Sequence, residues 1–166
     1  MNPAPTIYIV GDDATNNLLS AFVLKRFFTD AEISFLSDPA TLLRDITATS
    51  PNGHTYIFLD TVTRGMPWHF FVHRFSELDV YLRKAYTLFM PLPDAYSALF
   101  RIDVQFPDVN VLPKPLSLQV LHDNALQFNT FDGGLMKSAY TTMHPVEAHR
   151  RSQVINAKSK SHETHL

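Results

Sequence analysis

Short, continuous apolar runs alternate along this chain with segments whose apolar residues recur every three or four positions. A run bounded by turn residues is typical of a buried strand, and the three-to-four spacing is typical of a helix. We predict strands over residues 6–10, 32–36, 55–59, 86–90 and 109–112. We predict helices over residues 17–28, 39–48, 68–82, 93–102 and 117–128.

This alternation determines the expected fold class. Strands that are apolar on both faces and separated by helices pair in parallel, with helices covering both faces of the sheet. Right-handed crossovers then give a doubly wound arrangement. We therefore expect an α/β fold, a (βα)5 three-layer sandwich with a five-stranded parallel sheet. We expect residues 5–127 to form this domain. The polar sequence that follows, rich in His, Ser, Thr, Lys and Arg, predicts a flexible tail over residues 128–166.

Composition narrows the class of protein. The 166 residues are 45% hydrophobic and include 13 Phe, which fits one globular domain with an aromatic core. A formal net charge of -2 argues against non-specific nucleic-acid binding. The chain has no Cys, which excludes disulfides and thiolate metal sites and fits a reducing compartment. We see neither a signal peptide nor an apolar stretch of about 18 residues, and expect a cytoplasmic protein that binds no membrane.

Candidate chemistry lies where the predicted strands end. In an open doubly wound sheet, ligands bind beyond the carboxyl ends of the strands. The residues at these ends are Gly11, Asp12, Asp13, Asp60, Pro91 and Lys114. Several carboxylates together favour a hard divalent cation such as Mg²⁺. A carboxylate beside such a cation and an ammonium group can accept a phosphoryl group, because both cations neutralise the charge on the transferred oxygens.

Three segments at these strand ends carry a family resemblance over roughly residues 5–127. They are 11–19 (GDDATNNLL), 57–60 (IFLD) and 114–116 (KPL). On these segments the chain resembles the receiver domains of two-component response regulators, a resemblance that implies a flavodoxin-like (CheY-like) fold. It implies that Asp60 accepts the phosphoryl group and that Lys114 pairs with the acceptor or with a phosphoryl oxygen. It also implies that Mg²⁺ is held by Asp12 and Asp60, with Asp13 as a further candidate ligand.

The same resemblance implies a role in signalling. A receiver is a phosphoprotein of a phosphorelay rather than an enzyme in its own right. The expected partners are a histidine kinase or phosphotransfer protein and a downstream protein. Output would come from the face formed by the fourth and fifth strands and their helices.

The chain also departs from the receiver pattern at three positions. Gly11 stands where the first of two adjacent acids is usual, which weakens the expected Mg²⁺ site. Pro91 stands where a Ser or Thr hydroxyl normally contacts the phosphoryl group, and proline offers neither a hydroxyl nor an N–H. Val111 stands three residues before Lys114, where receivers often carry an aromatic residue. Asp13 is open to a second interpretation, as the N-cap of the helix that follows it.

Three hypotheses therefore remain open. The first is a stand-alone receiver that accepts a phosphoryl group on Asp60 and signals through protein contacts. The second is a degenerate receiver, a docking module that works without phosphorylation. The third is a flavodoxin-like cofactor binder, against which the acidic first loop argues because a phosphate-bearing cofactor requires N–H groups and hydroxyls there.

Overall fold

The structure is a computed structural model that describes residues 4–49, 53–93 and 102–128, with only the backbone of Asp103 and Val104. Residues 129–166, which make up almost all of the predicted tail, lie outside the described residues. So does most of the helix predicted over residues 93–102.

The described chain folds around one parallel sheet. Its strands are β1 (Thr6–Val10), β2 (Glu32–Leu36), β3 (Thr55–Leu59), β4 (Tyr86–Leu92) and β5 (Val109–Pro113). Neighbouring strands run parallel in the order β2-β1-β3-β4-β5. The described helices are α1 (Ala14–Phe27), α2 (Pro39–Ala48), α3 (Trp68–Ser76), α4 (Val80–Arg83), α5 (Ile102–Gln105), α6 (Leu118–Asp123) and a 3-10 helix (Ala125–Phe128).

Buried side chains cover both faces of the sheet. One cluster joins β3 and β4 to α2 and α3, and includes Leu42 and Phe71. The other joins β1, β3 and β4 to α1, α6 and the 3-10 helix, and includes Leu24, Phe89 and Phe128. Helices therefore lie on each side of the sheet, and the predicted doubly wound three-layer fold is confirmed.

Two predicted helices are interrupted in the structure. The helix predicted over residues 68–82 is divided into α3 and α4, because the Asp79 carboxylate accepts a hydrogen bond from Tyr81 N at 2.8 Å and starts a new helix. The helix predicted over residues 117–128 begins after its N-cap Ser117 but gives way to the 3-10 helix after Asp123. Both interruptions arise where a polar side chain or a tighter turn competes with the regular helix.

The outward face of α1 is apolar. The periodic apolar residues of this segment predicted the helix, but Leu18, Leu19 and Phe22 are 67%, 60% and 63% exposed. The buried residues of α1 are Asn17 and Leu24. The helix therefore presents apolar side chains to solvent on one side of the molecule. Within the described part of the chain, no helix combines the length and hydropathy needed to span a membrane.

Candidate functional site

Asp60 and Lys114 meet at the carboxyl end of the sheet. Asp60 follows β3 and Lys114 follows β5, and the Lys114 Nζ atom donates to Asp60 Oδ2 at 2.7 Å. The other carboxylate oxygen accepts from Val62 N at 3.2 Å and Thr61 Oγ1 at 3.3 Å. The two charged side chains are largely shielded, with Asp60 15% and Lys114 27% exposed. The structure thus brings together the predicted acceptor and its predicted lysine.

Asp12 has a cationic partner that the sequence did not predict. Arg64, in the loop between β3 and α3, places Nη2 2.9 Å from Asp12 Oδ1. The backbone of Asp12 is held by a hydrogen bond from its N–H to Val62 O at 2.9 Å. Asp12 and Asp60 therefore each form an ion pair, and each pairs with a different cation.

Asp13 is used as a helix cap. Its Oδ1 accepts from Thr15 N at 2.9 Å and from Asn16 N at 3.0 Å, and its Oδ2 accepts from Asn16 Nδ2 at 2.9 Å. These bonds satisfy N–H groups that the first turn of α1 leaves free. Both of its oxygens are thus engaged in starting α1, the second of the two interpretations given above, and its predicted metal role stays a prediction.

Gly11 lies in close contact with Asp60. A Cβ atom at this position would be 2.9 Å from Asp60 Cβ and 3.1 Å from Asn17 Oδ1. Asn17 is buried and donates from Nδ2 to Gly11 O at 2.8 Å, which fixes the turn after β1. A larger side chain at position 11 would require the Asp60 side chain to shift, so this packing suits glycine.

An apolar groove lies beside the ion pair, between α1 and the ends of β4 and β5. Its volume is about 240 Å³, and Asp60 and Lys114 are part of its wall. The apolar residues that line it include Leu19, Phe22, Val23, Pro91, Pro115 and Leu116. Asp12 and Asp13, both within the described residues, do not line this groove. Of the three predicted acids, Asp60 is the one that lines this groove.

Thr87, the threonine of β4, lies at the opposite end of the sheet from Asp60. Thr87 Oγ1 lies 2.7 Å from His54 Nε2, and burial lowers the pKa of this histidine. The register pairs Thr87 with Tyr56, near the start of β3. Thr87 therefore cannot replace the hydroxyl that Pro91 lacks.

Comparison with known proteins supports the fold. No family model matches the sequence, and no curated protein matches it. Among solved structures, a response regulator receiver protein from Dyadobacter fermentans is 18% identical with a TM-score of 0.63, over 75% of this chain and 98% of that one. A bacteriophytochrome response regulator is 18% identical with a TM-score of 0.64, over 97% of this chain and 98% of that one. This chain has the receiver-domain fold.

A third solved structure bears on the expected cation. The receiver domain of a Pseudomonas aeruginosa sensor histidine kinase has a magnesium ion coordinated in its active-site cleft. It is 14% identical to this chain with a TM-score of 0.57, over 74% of this chain and 94% of that one. At such identities the likeness shows the fold, and the metal belongs to the other protein.

The residues of this receiver fold do not fit a resident magnesium ion well. No group of three or more His, Cys, Asp or Glu side chains that could hold a metal occurs among the described residues. Asp12 is paired with Arg64, Asp60 with Lys114, and Asp13 with the N-terminus of α1. A divalent cation bound to Asp12 would meet the positive charge of Arg64, and one bound to Asp60 would meet that of Lys114. Arg64 and Lys114 thus offset two of the three negative charges at the strand ends.

Sequence reasoning missed two residues of the site. Asn17 was included in the predicted helix, and only the fold shows that its side chain turns inward to Gly11. Arg64 had a weak signal, as the basic residue of the loop over residues 61–67. Its contact with Asp12 depends on how that loop lies against the loop between β1 and α1, which no local pattern encodes.

Proposed function

We propose that this chain is a receiver-fold signalling module that docks onto a partner protein without phosphoryl transfer to Asp60. The observation that carries the proposal is that Asp12 and Asp13, the two acids expected to hold Mg²⁺ beside Asp60, are already engaged within the protein. Asp12 is paired with Arg64, and Asp13 accepts hydrogen bonds from the first turn of α1. Asp60 is paired with Lys114. The second of the sequence-based hypotheses, a degenerate receiver, explains this arrangement directly.

Pro91 is a further argument for this function. A hydroxyl at this position would donate a hydrogen bond to a phosphoryl oxygen, and a bond to a charged group contributes about 1.5–3 kcal/mol. Proline supplies no such donor, and its ring instead lines the apolar groove. The wall of the groove beside Asp60 therefore suits an apolar side chain better than a phosphoryl group.

The docking surface of the proposal is the outward face of α1. Leu18, Leu19 and Phe22 are exposed there, and Leu19 and Phe22 also line the groove. Exposed apolar clusters of this kind mark interaction sites in soluble proteins. Lys25 and Arg26 form the basic end of the same helix, which carries no acidic residue.

These features favour a helical partner. An amphipathic helix places apolar anchors at intervals of three and four residues and binds by laying them in an apolar groove. Acidic residues at its edge would complement the basic end of α1. A histidine kinase or phosphotransfer protein is the partner class that we propose, together with a downstream protein.

Phosphoryl transfer to Asp60 is the second candidate function. The contact between Lys114 Nζ and Asp60 Oδ2 at 2.7 Å favours it, because a receiver that accepts a phosphoryl group requires this lysine. Labelling of the protein by a small acyl-phosphate donor, lost in Asp60→Asn, would establish this function in place of the first.

Binding measurements test the docking proposal. We would titrate the histidine kinase or phosphotransfer protein of the same organism into wild type, Phe22→Glu and Asp60→Asn by calorimetry in EDTA. Phe22→Glu should weaken binding at least about tenfold, because it places a charge in an apolar contact, and Asp60→Asn should bind like wild type. Tyr81→Glu is the matched control, since Tyr81 is an aromatic residue of α4 that is 80% exposed. Equal binding by Phe22→Glu and wild type would refute the docking surface.

A further inference from the structure

The loop that carries Arg64 is held against the β2–α2 junction. Arg64 N donates to Ser37 O at 2.8 Å, and Met66 N donates to Asp38 Oδ1 at 3.2 Å. Gly65 between them has φ of 71°, and a Cβ there would lie 2.8 Å from Asp38 Cγ. These contacts hold the backbone at Arg64 and Met66, and so place the start of the Arg64 side chain within reach of Asp12.

The guanidinium lies beside the acid that is best placed to hold a cation. Its Nη2 atom is 2.9 Å from Asp12 Oδ1, and the Asp12 side chain is 34% exposed. Magnesium sites in proteins use one or two carboxylates and retain several waters. Asp12 and Asp60 are the two carboxylates available for this role, since the oxygens of Asp13 are engaged in capping α1. Any cation that used Asp12 would meet the positive charge of Arg64.

We propose that Arg64 is a built-in counter-ion that replaces a divalent cation beside Asp12. The positive charge that a magnesium ion would bring to Asp12 is here supplied by the chain itself. Together with Lys114, it offsets the charges of Asp12 and Asp60 without a bound metal. This inference deepens the proposed function and rests on it, because a docking module that needs no phosphoryl transfer also needs no metal.

The proposal predicts that removing the guanidinium restores affinity for the cation. A Mg²⁺ ion and the Arg64 guanidinium about 6 Å apart in water repel each other by roughly 1.4 kcal/mol, which corresponds to about a tenfold change in Mg²⁺ affinity. Arg64→Gln removes the charge and keeps a polar side chain. Arg64→Lys keeps the charge and should bind Mg²⁺ as weakly as wild type. The Arg64 side chain is 72% exposed, so both variants should fold.

The experiment is a Mg²⁺ titration at low ionic strength. Amide chemical shifts of Gly11, Asp12 and Asp60 report on the site, and the fluorescence of Trp68, the one tryptophan of the chain, reports on the end of the loop. Arg74→Gln is the matched control, because Arg74 is a similarly exposed arginine that pairs with Glu77 on α3.

We expect Arg64→Gln to bind Mg²⁺ about tenfold more tightly than wild type, Arg64→Lys and Arg74→Gln. Adding Asp12→Asn to Arg64→Gln should remove the gain. Equal affinity of wild type and Arg64→Gln would overturn the proposal, as would a gain that survives Asp12→Asn. Failure of the proposed function gives a different result: partner binding in EDTA would be lost, whatever the Mg²⁺ titrations show.

Discussion

Lys114 Nζ donates to Asp60 Oδ2 at 2.7 Å across the end of the intervening strand β4. The two residues are 54 positions apart in the chain, and both side chains are less than one-third exposed. Removing one partner of an ion pair that is shielded in this way is costly, because the other charge is then left away from water without its counter-ion. Removal of either partner alone is therefore expected to destabilise the fold.

A double-mutant cycle measures this coupling. Lys114→Met should lower the free energy of unfolding by about 1–3 kcal/mol, because it leaves the Asp60 carboxylate without its cation. The same change in an Asp60→Asn background should cost less, with a coupling energy of about 1 kcal/mol. Denaturant unfolding gives all four values. Additive effects of the two substitutions would show that the contact contributes nothing to stability.

Two substitutions at Asp13 separate capping from metal binding. Asp13→Ala should destabilise the protein by about 1 kcal/mol, because the N–H groups of Thr15 and Asn16 lose their acceptor. Asp13→Ser removes the carboxylate but keeps a good N-cap, so its unfolding free energy should stay within about 0.5 kcal/mol of wild type. If thermal unfolding shows that Asp13→Ser lowers the stability as much as Asp13→Ala does, the Asp13 carboxylate does more than cap α1.

The 3-10 helix offers a test of where the core ends. Phe128 is 6% exposed and stacks on Phe89 with ring centroids 4.5 Å apart, and its carbonyl accepts from Tyr56 Oη at 2.8 Å. Phe128→Ala should cost about 3–5 kcal/mol, because it opens a cavity in the aromatic cluster. Leu126→Ala is the control in the same helix, since Leu126 is 86% exposed.

Denaturant unfolding of both variants reads out the difference. Leu126→Ala should change the free energy of unfolding by less than about 0.5 kcal/mol. Similar losses in Phe128→Ala and Leu126→Ala would mean that the core ends before the 3-10 helix. The predicted domain limit at residue 127 remains a prediction.

His54 should make stability depend on pH. Burial lowers its pKa from the ordinary value of 6.5, so the unfolded chain binds a proton at a higher pH than the folded protein does. The free energy of unfolding should therefore fall as pH drops through 6.5 toward the folded-state pKa, by at most about 1.4 kcal/mol per pH unit. Above that window the contribution is fully present.

The control is His54→Gln, which keeps a hydrogen-bonding group near Thr87 and removes the titration. Denaturant unfolding between pH 5 and pH 8, values spanning the ordinary histidine range, should show a smaller slope in the variant. Parallel curves for variant and wild type would contradict the prediction.

The order and type of the elements could be predicted from the sequence. Apolar runs bounded by turn residues gave β1, β2 and β3 at the observed positions, and Asp38-Pro39 gave the start of α2. These signals are local, because strand burial and helix capping depend on neighbouring residues. The resemblance added Asp60 and Lys114, which the fold indeed brings into contact.

The partners of each acid were decided by the tertiary structure alone. Whether Asp12 faces Asp60 or Arg64 depends on a loop held by contacts with Ser37 and Asp38, residues far away in the chain. The close packing of Gly11 against Asp60, and the outward face of α1, likewise depend on how whole elements pack. The sequence by itself determined the order of strands and helices and the strand end at which Asp60 lies, because those follow from local patterns. Only the folded chain decided which charges meet, because ion pairs form between residues that the sequence keeps apart.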